Sequence, residues 1–383
     1  MAALEVGIVG AGIVGLAHAW SAAERGHRVT IFERSPRAIG ASIRNFGMIW
    51  PIGQPAGDVY RIALASRERW LKLSHLAGID VRACGSIHLA HRADEWAVLQ
   101  EFAERAPALG YDCTLLDAAG VQTRTPAANP ERLLGGLFSS TELAVDPRRA
   151  IQELPRWLAD RFGVRLAFGT NVTAVTSDAN RRRIRAADGS THMVDRAIIC
   201  GGADVPLLFP SEFAGAGLRL CKLQMMRTLA QPASWRIGAH LASGLTLRHY
   251  RNFDVCPSLP ALKARIAAET PELDRFGIHV MAAQNEAGEV ILGDSHEYDS
   301  DIEPFDKREI DELMLRELRQ IVTLPDWTIA ERWHGIYAKH PSEPIVEMEP
   351  MPEVHISMGT GGAGMTMAFG LAEAAWNRWT GER

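Results

Sequence analysis

An apolar run, Val6-Gly7-Ile8-Val9, leads into Gly10-Ala11-Gly12-Ile13-Val14-Gly15, and helical spacing begins at Leu16. This is the pattern of a buried strand, a tight turn and a helix. Arg28-Val29-Thr30-Ile31-Phe32 predicts a second strand that ends at Glu33 and Arg34. Tyr60, Ala63, Leu64, Trp70 and Leu73 predict a helix over residues 58–76, followed by a strand at 86–90 and a helix at 94–108. An extended stretch begins at 133–137, and beyond it Asp146 is placed to cap a helix opened by Pro147.

The central pattern returns to strands at 164–168 and 170–175, with Arg181-Arg182-Arg183 read as a solvated turn before Ile184 and a further turn at Asp188-Gly189. Residues 195–200 then form a buried strand that ends in Cys200-Gly201-Gly202. Strands are expected at 220–228, 245–250, 278–282 and 290–293, with a charged helix at 306–321. The last segment is a strand from Val354, a turn dense in glycine through Gly361-Gly362-Ala363-Gly364, and a helix running to Trp379.

The pattern predicts an α/β chain, α+β overall, with two domains. A Rossmann-like nucleotide-binding domain takes residues 1–85, 145–217 and 325–383, and a mainly antiparallel sheet domain for substrate takes 86–144 and 218–324. The length of 383 residues, 47% hydrophobic and 23% charged, suits that division. A formal net charge of -5 disfavours nucleic acid and anionic membranes as partners. With no basic leader and no continuous apolar run of about 18 residues, the expected location is cytoplasmic. Five cysteines without a CxxC, and thirteen histidines without an HExxH or a paired spacing, predict neither disulfides nor a metal.

The chemistry starts at the first turn. In a GxGxxG fingerprint the first glycine allows the turn, the second lets the backbone approach a pyrophosphate, and the third lets helix and strand pack closely. The helix N-terminus adds amide donors and the positive end of its dipole. Glu33 lies near the offset of about 20 residues at which a carboxylate accepts from ribose hydroxyls. A loop of small and polar residues follows, including Ser42, Arg44, Asn45, Phe46, Gly47 and Met48. The Cys200-Gly201-Gly202 strand end and the C-terminal glycine turn are further cradles at places where open α/β sheets bind ligands.

Taken in order, these four pieces resemble the D-amino-acid-oxidase-like flavoenzymes, the group of glycine oxidase and sarcosine oxidase, over essentially the whole chain. The resemblance implies FAD lying extended, with Val172 touching the adenine through its backbone and Gly362 to Met365 near the pyrimidine side of the flavin. The segment from Arg44 to Gln54 is similar to a glycine-oxidase-like subgroup linked to aminophosphonate breakdown, which implies N-methyl-2-aminoethylphosphonate or a related amine as substrate and oxygen as electron acceptor.

Departures from the group sharpen this. Gly335-Ile336-Tyr337-Ala338 stands where glycine-oxidase-like enzymes have Gly-Leu-Arg-Pro, so Tyr337 replaces the arginine that holds a carboxylate. Thr366 stands where sarcosine oxidase has a substrate-binding lysine, and Gly335 where it has a flavin-tethering cysteine, which implies noncovalent FAD. Tyrosine and threonine supply hydrogen bonds without charge. The cations left for an anionic substrate are Arg44, His249, Arg251, Lys339 and His340, with Lys339 and His340 best placed. Two alternatives stay open: a glycine- or sarcosine-type oxidase with another carboxylate clamp, and a noncatalytic flavin-bearing subunit of a complex.

Overall fold

A computed structural model describes residues 2–205 and 207–381. Six strands form the first sheet, in the order Val346–Met351, Val354–Met358, Arg196–Ile199, Glu5–Val9, Arg28–Glu33 and Arg165–Phe168. Every pair is parallel except the edge hairpin. Such strands are covered on both faces, which is why they read as continuous apolar runs. One face packs on the helices Ile13–Glu24, Pro147–Phe162 and Gly364–Thr380 through Leu16, Trp20, Leu154, Phe369 and Trp376. The other packs on a three-stranded antiparallel sheet, Val172–Asp178, Arg181–Ala186 and Thr191–Val194, through Phe32, Val175 and Ile184.

A nine-stranded sheet carries the second core. Its members include Ser86–Ala90, Gly135–Ser139 and Cys113–Asp117 from the first half of the chain, and Arg219–Ala230, Met281–Gln284 and Glu289–Gly293 from the second. Pairing is antiparallel apart from the contact of His240–Ala242 with Ser86–Ala90. The expectation placed 325–383 with the nucleotide-binding sheet, yet Ile329–Lys339 pairs along its length with Arg219–Ala230 in this larger sheet. Arg219–Ala230 has two distinct faces. Cys221, Leu223 and Met225 pack with Ile291 and Tyr337, while the alternate residues Lys222 and Gln224 turn the other way. There the buried Lys222 ammonium donates to the Glu303 carbonyl at 3.0 Å, and the Gln224 amide donates to the Lys307 carbonyl at 3.0 Å and to Asp311 at 2.9 Å.

Asp146 caps Pro147–Phe162 by accepting from the Arg148 and Arg149 amides, as its position before Pro147 predicts. Two expectations are corrected. Residues 245–250 are not a strand: Gly244–Arg248 is a short 3-10 helix, because Ser243 O accepts from both the amide and the hydroxyl of Thr246. These local bonds replace a sheet ladder. The arginine run is not a turn either. It opens the strand Arg181–Ala186, with the turn at Ala179 and Asn180, because Ser177, Asp178 and Asp195 give the three guanidinium groups partners. No helix of the described residues is long and apolar enough to cross a membrane.

Candidate functional site

The three glycines of the first turn do three different things. Gly10 has φ +103°, and a Cβ there would lie 2.3 Å from the Cys200 carbonyl oxygen. At Gly15 an added Cβ would lie 2.0 Å from the Gly10 carbonyl oxygen, so close helix-to-strand packing requires glycine. Gly12 meets only the Ser42 hydroxyl, at 3.1 Å, and faces a cavity of about 720 Å³. The helix start there is open toward the cavity, with the Ile13 amide donating to Ser42 Oγ at 2.9 Å. Glu33 closes the turn by accepting from the amides of Ala11 and Ser35, both at 3.0 Å.

The cavity runs between the two sheets and collects nearly all the residues singled out from sequence. Beside Gly10, Gly12, Ile13, Val14, Glu33 and Arg34 it is lined by Ser42, Arg44, Asn45, Phe46 and Met48, by Val172, and by Cys200, Gly201 and Gly202. Gly335 and the turn Gly361, Gly362, Ala363, Gly364, Met365 and Thr366 complete this stretch. Ala11, Gly15 and Gly47 stand behind the wall. Gly47 has φ +74° and presses on the Val145 carbonyl, while Asn45 accepts from its amide at 2.8 Å and fixes the loop. A Cβ on Gly335 would come 3.2 Å from the Arg44 carbonyl, so the loop and the strand Ile329–Lys339 touch here.

The far end of the cavity holds the polar candidates. Tyr337 and Lys339 lie two residues apart on one strand and therefore share a face, opposite the glycine turn. Burial pushes the Tyr337 phenol well up, with the Cys221 and Tyr298 side chains beside it adding to the shift. Burial also lowers Lys339, and Arg251 reinforces this; its ammonium donates to Tyr298 Oη at 3.5 Å. His340 lines the mouth, but its Nδ1 accepts from the Glu343 amide at 2.9 Å and so stabilises a turn. Thr366 is buried and accepts from the Trp50 amide at 2.9 Å, which ties two walls together. Arg44 donates to the His334 carbonyl at 3.3 Å. His249 and Arg251 both line the cavity.

Beside His249 the structure places three residues that the sequence did not single out, His279, Asp294 and His296. Spacings of 30 and 17 residues between the histidines carry no local signal; sheet pairing brings the segments of His279 and His296 together, and the short helix Gly244–Arg248 brings in His249. His279, Asp294 and His296 each lie within three residues of an apolar strand of the second sheet, the one feature by which the sequence marks their position.

The match to protein families decides what this arrangement is. A model of FAD dependent oxidoreductases covers residues 5–378. The chain belongs to that family. The open cradle at Gly12, the helix N-terminus and Glu33 fit the ADP half of the family's cofactor, FAD, and the same cavity continues from Ser42 to the C-terminal glycine turn. Among curated relatives, a D-amino acid dehydrogenase of Rhizorhabdus wittichii is 26% identical over 261 residues, 54% of this chain and 62% of that protein. The chain thus spans less than two thirds of that relative's length. In fold it is similar to glycine oxidase from Bacillus cereus (TM-score 0.79, 16% identity, 99% of this chain and 96% of that one). L-proline dehydrogenase from P. horikoshii is equally similar (TM-score 0.79, 19% identity, 100% and 94%).

Proposed function

We propose that this family member oxidises a small primary or secondary amine that carries an anionic group, with N-methyl-2-aminoethylphosphonate or a related aminophosphonate as the preferred substrate. The observation that carries this is the pairing of Tyr337 with Lys339 on one strand face against the glycine turn, where a carboxylate-binding arginine is absent and a cation stands two residues on. A phosphonate has three acceptor oxygens and more negative charge than a carboxylate, so it favours an ammonium and several neutral donors over one planar fork.

Bound FAD supplies the acceptor for a hydride leaving the carbon next to nitrogen. The residues of the chain orient and enclose. Lys339 and Tyr337 hold the anionic end, and Leu223, Met225 and Phe46 give the amine an apolar surface that excludes water and favours its neutral form. The imine that results hydrolyses to an aldehyde and an amine. Cofactor binding falls to 1–85, 145–217 and 325–383 and substrate binding to 86–144 and 218–324, with Tyr337 and Lys339 joining the substrate side. We place the enzyme in the cytoplasm, in keeping with its five free cysteines.

Oxygen is the proposed electron acceptor. The relatives named dehydrogenase favour a second reading in which another acceptor takes its place. Anaerobic flavin bleaching by N-methyl-2-aminoethylphosphonate, glycine and sarcosine, followed by peroxide formation in air, separates the possibilities. The phosphonate should give the highest kcat/KM; a preference for glycine or sarcosine overturns the assignment. Bleaching by no amine would point to a noncatalytic subunit.

A further inference from the structure

Three chain segments meet at the histidines lining the cavity. His249 follows the turn Gly244–Arg248, His279 precedes Met281–Gln284, and Asp294 and His296 follow Glu289–Gly293. The last two segments extend the antiparallel pairing of their strands: His279 and Asp294 exchange backbone hydrogen bonds of 3.3 and 3.0 Å, and the His296 amide donates to Phe276 O at 2.8 Å. Arg248 fastens the first segment to them through the Ile278 carbonyl at 2.8 Å. The ring centres of His249 lie 3.9 Å from His279 and 4.6 Å from His296, and those of His279 and His296 are 4.9 Å apart.

Asp294 sits beneath two of these rings, 3.4 Å from His279 Nε2 and 3.9 Å from His296 Nε2. His279, Asp294 and His296 are all buried, yet among the described residues neither ring nitrogen of His279 nor Asp294 Oδ1 has a hydrogen-bond partner, the 3.4 Å approach of Nε2 to Oδ1 lacking hydrogen-bond geometry. Leaving such a group unpaired costs stability, so its retention on a cavity wall points to a ligand that completes the bonding. The surroundings set the sign of that ligand. Lys339, Arg248 and Arg251 bring positive charge, and Tyr250, Tyr298, Tyr337 and Cys221 are the other titratable neighbours. Against them stand Asp294, whose carboxyl is pushed well up by burial, and Asp274, which pairs with Arg248 and offsets its charge, so Lys339 and Arg251 set the balance.

We propose that His249, His279 and His296, oriented by Asp294 and flanked by Lys339, form a subsite for a tetrahedral oxyanion, the phosphonate or phosphate head of the substrate. This rests on the reading that the substrate is an anionic amine, and it gives the head group its place. Donors arriving from three segments suit a tetrahedral group, whereas a planar carboxylate is matched by the fork of an arginine. Burial holds His296 down at about 3 and the other two well below the ordinary imidazole range, with mutual repulsion and Lys339 adding to it. The rings are therefore neutral in the free protein, and a doubly charged head group is held together with a proton.

Calorimetry of methylphosphonate binding to the FAD-loaded full chain, in two buffers of different ionisation heat at about pH 8.5, where the free ligand is mainly the dianion, tests this. The subsite predicts one bound anion with uptake of about one proton, and affinity for acetate about tenfold lower or less. His279→Asn and His296→Asn should each weaken methylphosphonate by about tenfold or more with FAD content and visible spectrum unchanged. Binding without proton uptake, equal affinity for acetate, or indifferent variants overturn the subsite, as does one equivalent of divalent metal that disappears in His279→Asn. The proton measurement needs no variant, so a misfolded mutant leaves the test intact. If methylphosphonate binds as expected but no aminophosphonate is oxidised, the subsite stands and the substrate assignment fails; rapid oxidation with unaffected histidine variants gives the reverse.

Discussion

Ala11 donates its backbone amide to the Glu33 carboxylate at 3.0 Å, so the turn after the first strand is tied to the end of the second. The same carboxylate accepts from the Ser35 amide and lines the cavity. Glu33→Lys replaces this acceptor with a cation and should weaken FAD binding by about 1 to 3 kcal/mol. Titration of the apoprotein with FAD checks it, and unchanged affinity in a folded variant removes Glu33 from the ribose site.

The glycines of that turn should separate folding from binding. In Gly15→Ala the new methyl would overlap the Gly10 carbonyl, and the backbone shift needed should cost about 1 to 3 kcal/mol of stability. Gly12→Ala should leave the melting temperature of the apoprotein nearly unchanged and lose FAD affinity, because its methyl enters the cavity. Equal melting temperatures for the two variants would refute the distinction.

FAD should be held without a covalent bond. No cysteine stands at Gly335, and the backbone of Arg44 already fills the space beside it. Cys256, which precedes it, is buried in the core of the second sheet. Acid precipitation should release all yellow colour to the supernatant, and colour kept on the pellet would contradict this.

Lys339 is the cation nearest to Tyr337 along its strand face. Lys339→Ala should lower kcat/KM for N-methyl-2-aminoethylphosphonate by about 2 to 3 kcal/mol, the range for a hydrogen bond to a charged group, with the flavin spectrum little changed. An unaffected variant would move the anchor to other residues without altering the substrate class.

His88 predicts how stability depends on pH. It packs between Trp50 and Phe253, neither ring nitrogen is hydrogen-bonded, and burial lowers its pKa from 6.5 to about 3. Above 6.5 the imidazole is neutral whether the chain is folded or not, and the protein keeps its full stability. As pH falls from 6.5 toward 3 the unfolded chain takes up the proton and the folded chain does not, so stability drops by up to about 1.4 kcal/mol per unit. His88→Leu should therefore show a smaller fall in Tm between neutral pH and about pH 4 than the native chain. Parallel Tm curves would exclude His88 as a source of acid lability.

The first strand-turn-helix unit and its place on the cavity were legible because their signals are local. Gly10, Gly12, Gly15 and Glu33 lie within one strand-turn-helix-strand unit, and each steric need of that unit leaves a mark at a fixed position. The arginines at 181–183 misled because a charged run reads as solvated, whereas these three successive strand residues find acceptors on Ser177, Asp178 and Asp195. Residues 245–250 misled because their apolar character is compatible with a strand, and a Ser-Thr bond decided otherwise. His279 and His296 were invisible for another reason: register in a nine-stranded sheet sets their approach, and no short window of sequence records it.

The alternation along Arg219–Ala230 divides responsibilities within one strand. Residues 223 and 225 line the cavity and 221 packs beside them, while 222 and 224 moor the segment 303–311 on the reverse side. New substrate preferences are therefore open to this protein through the odd positions alone, and a library confined to them would explore chemistry while the outer wall stays fastened.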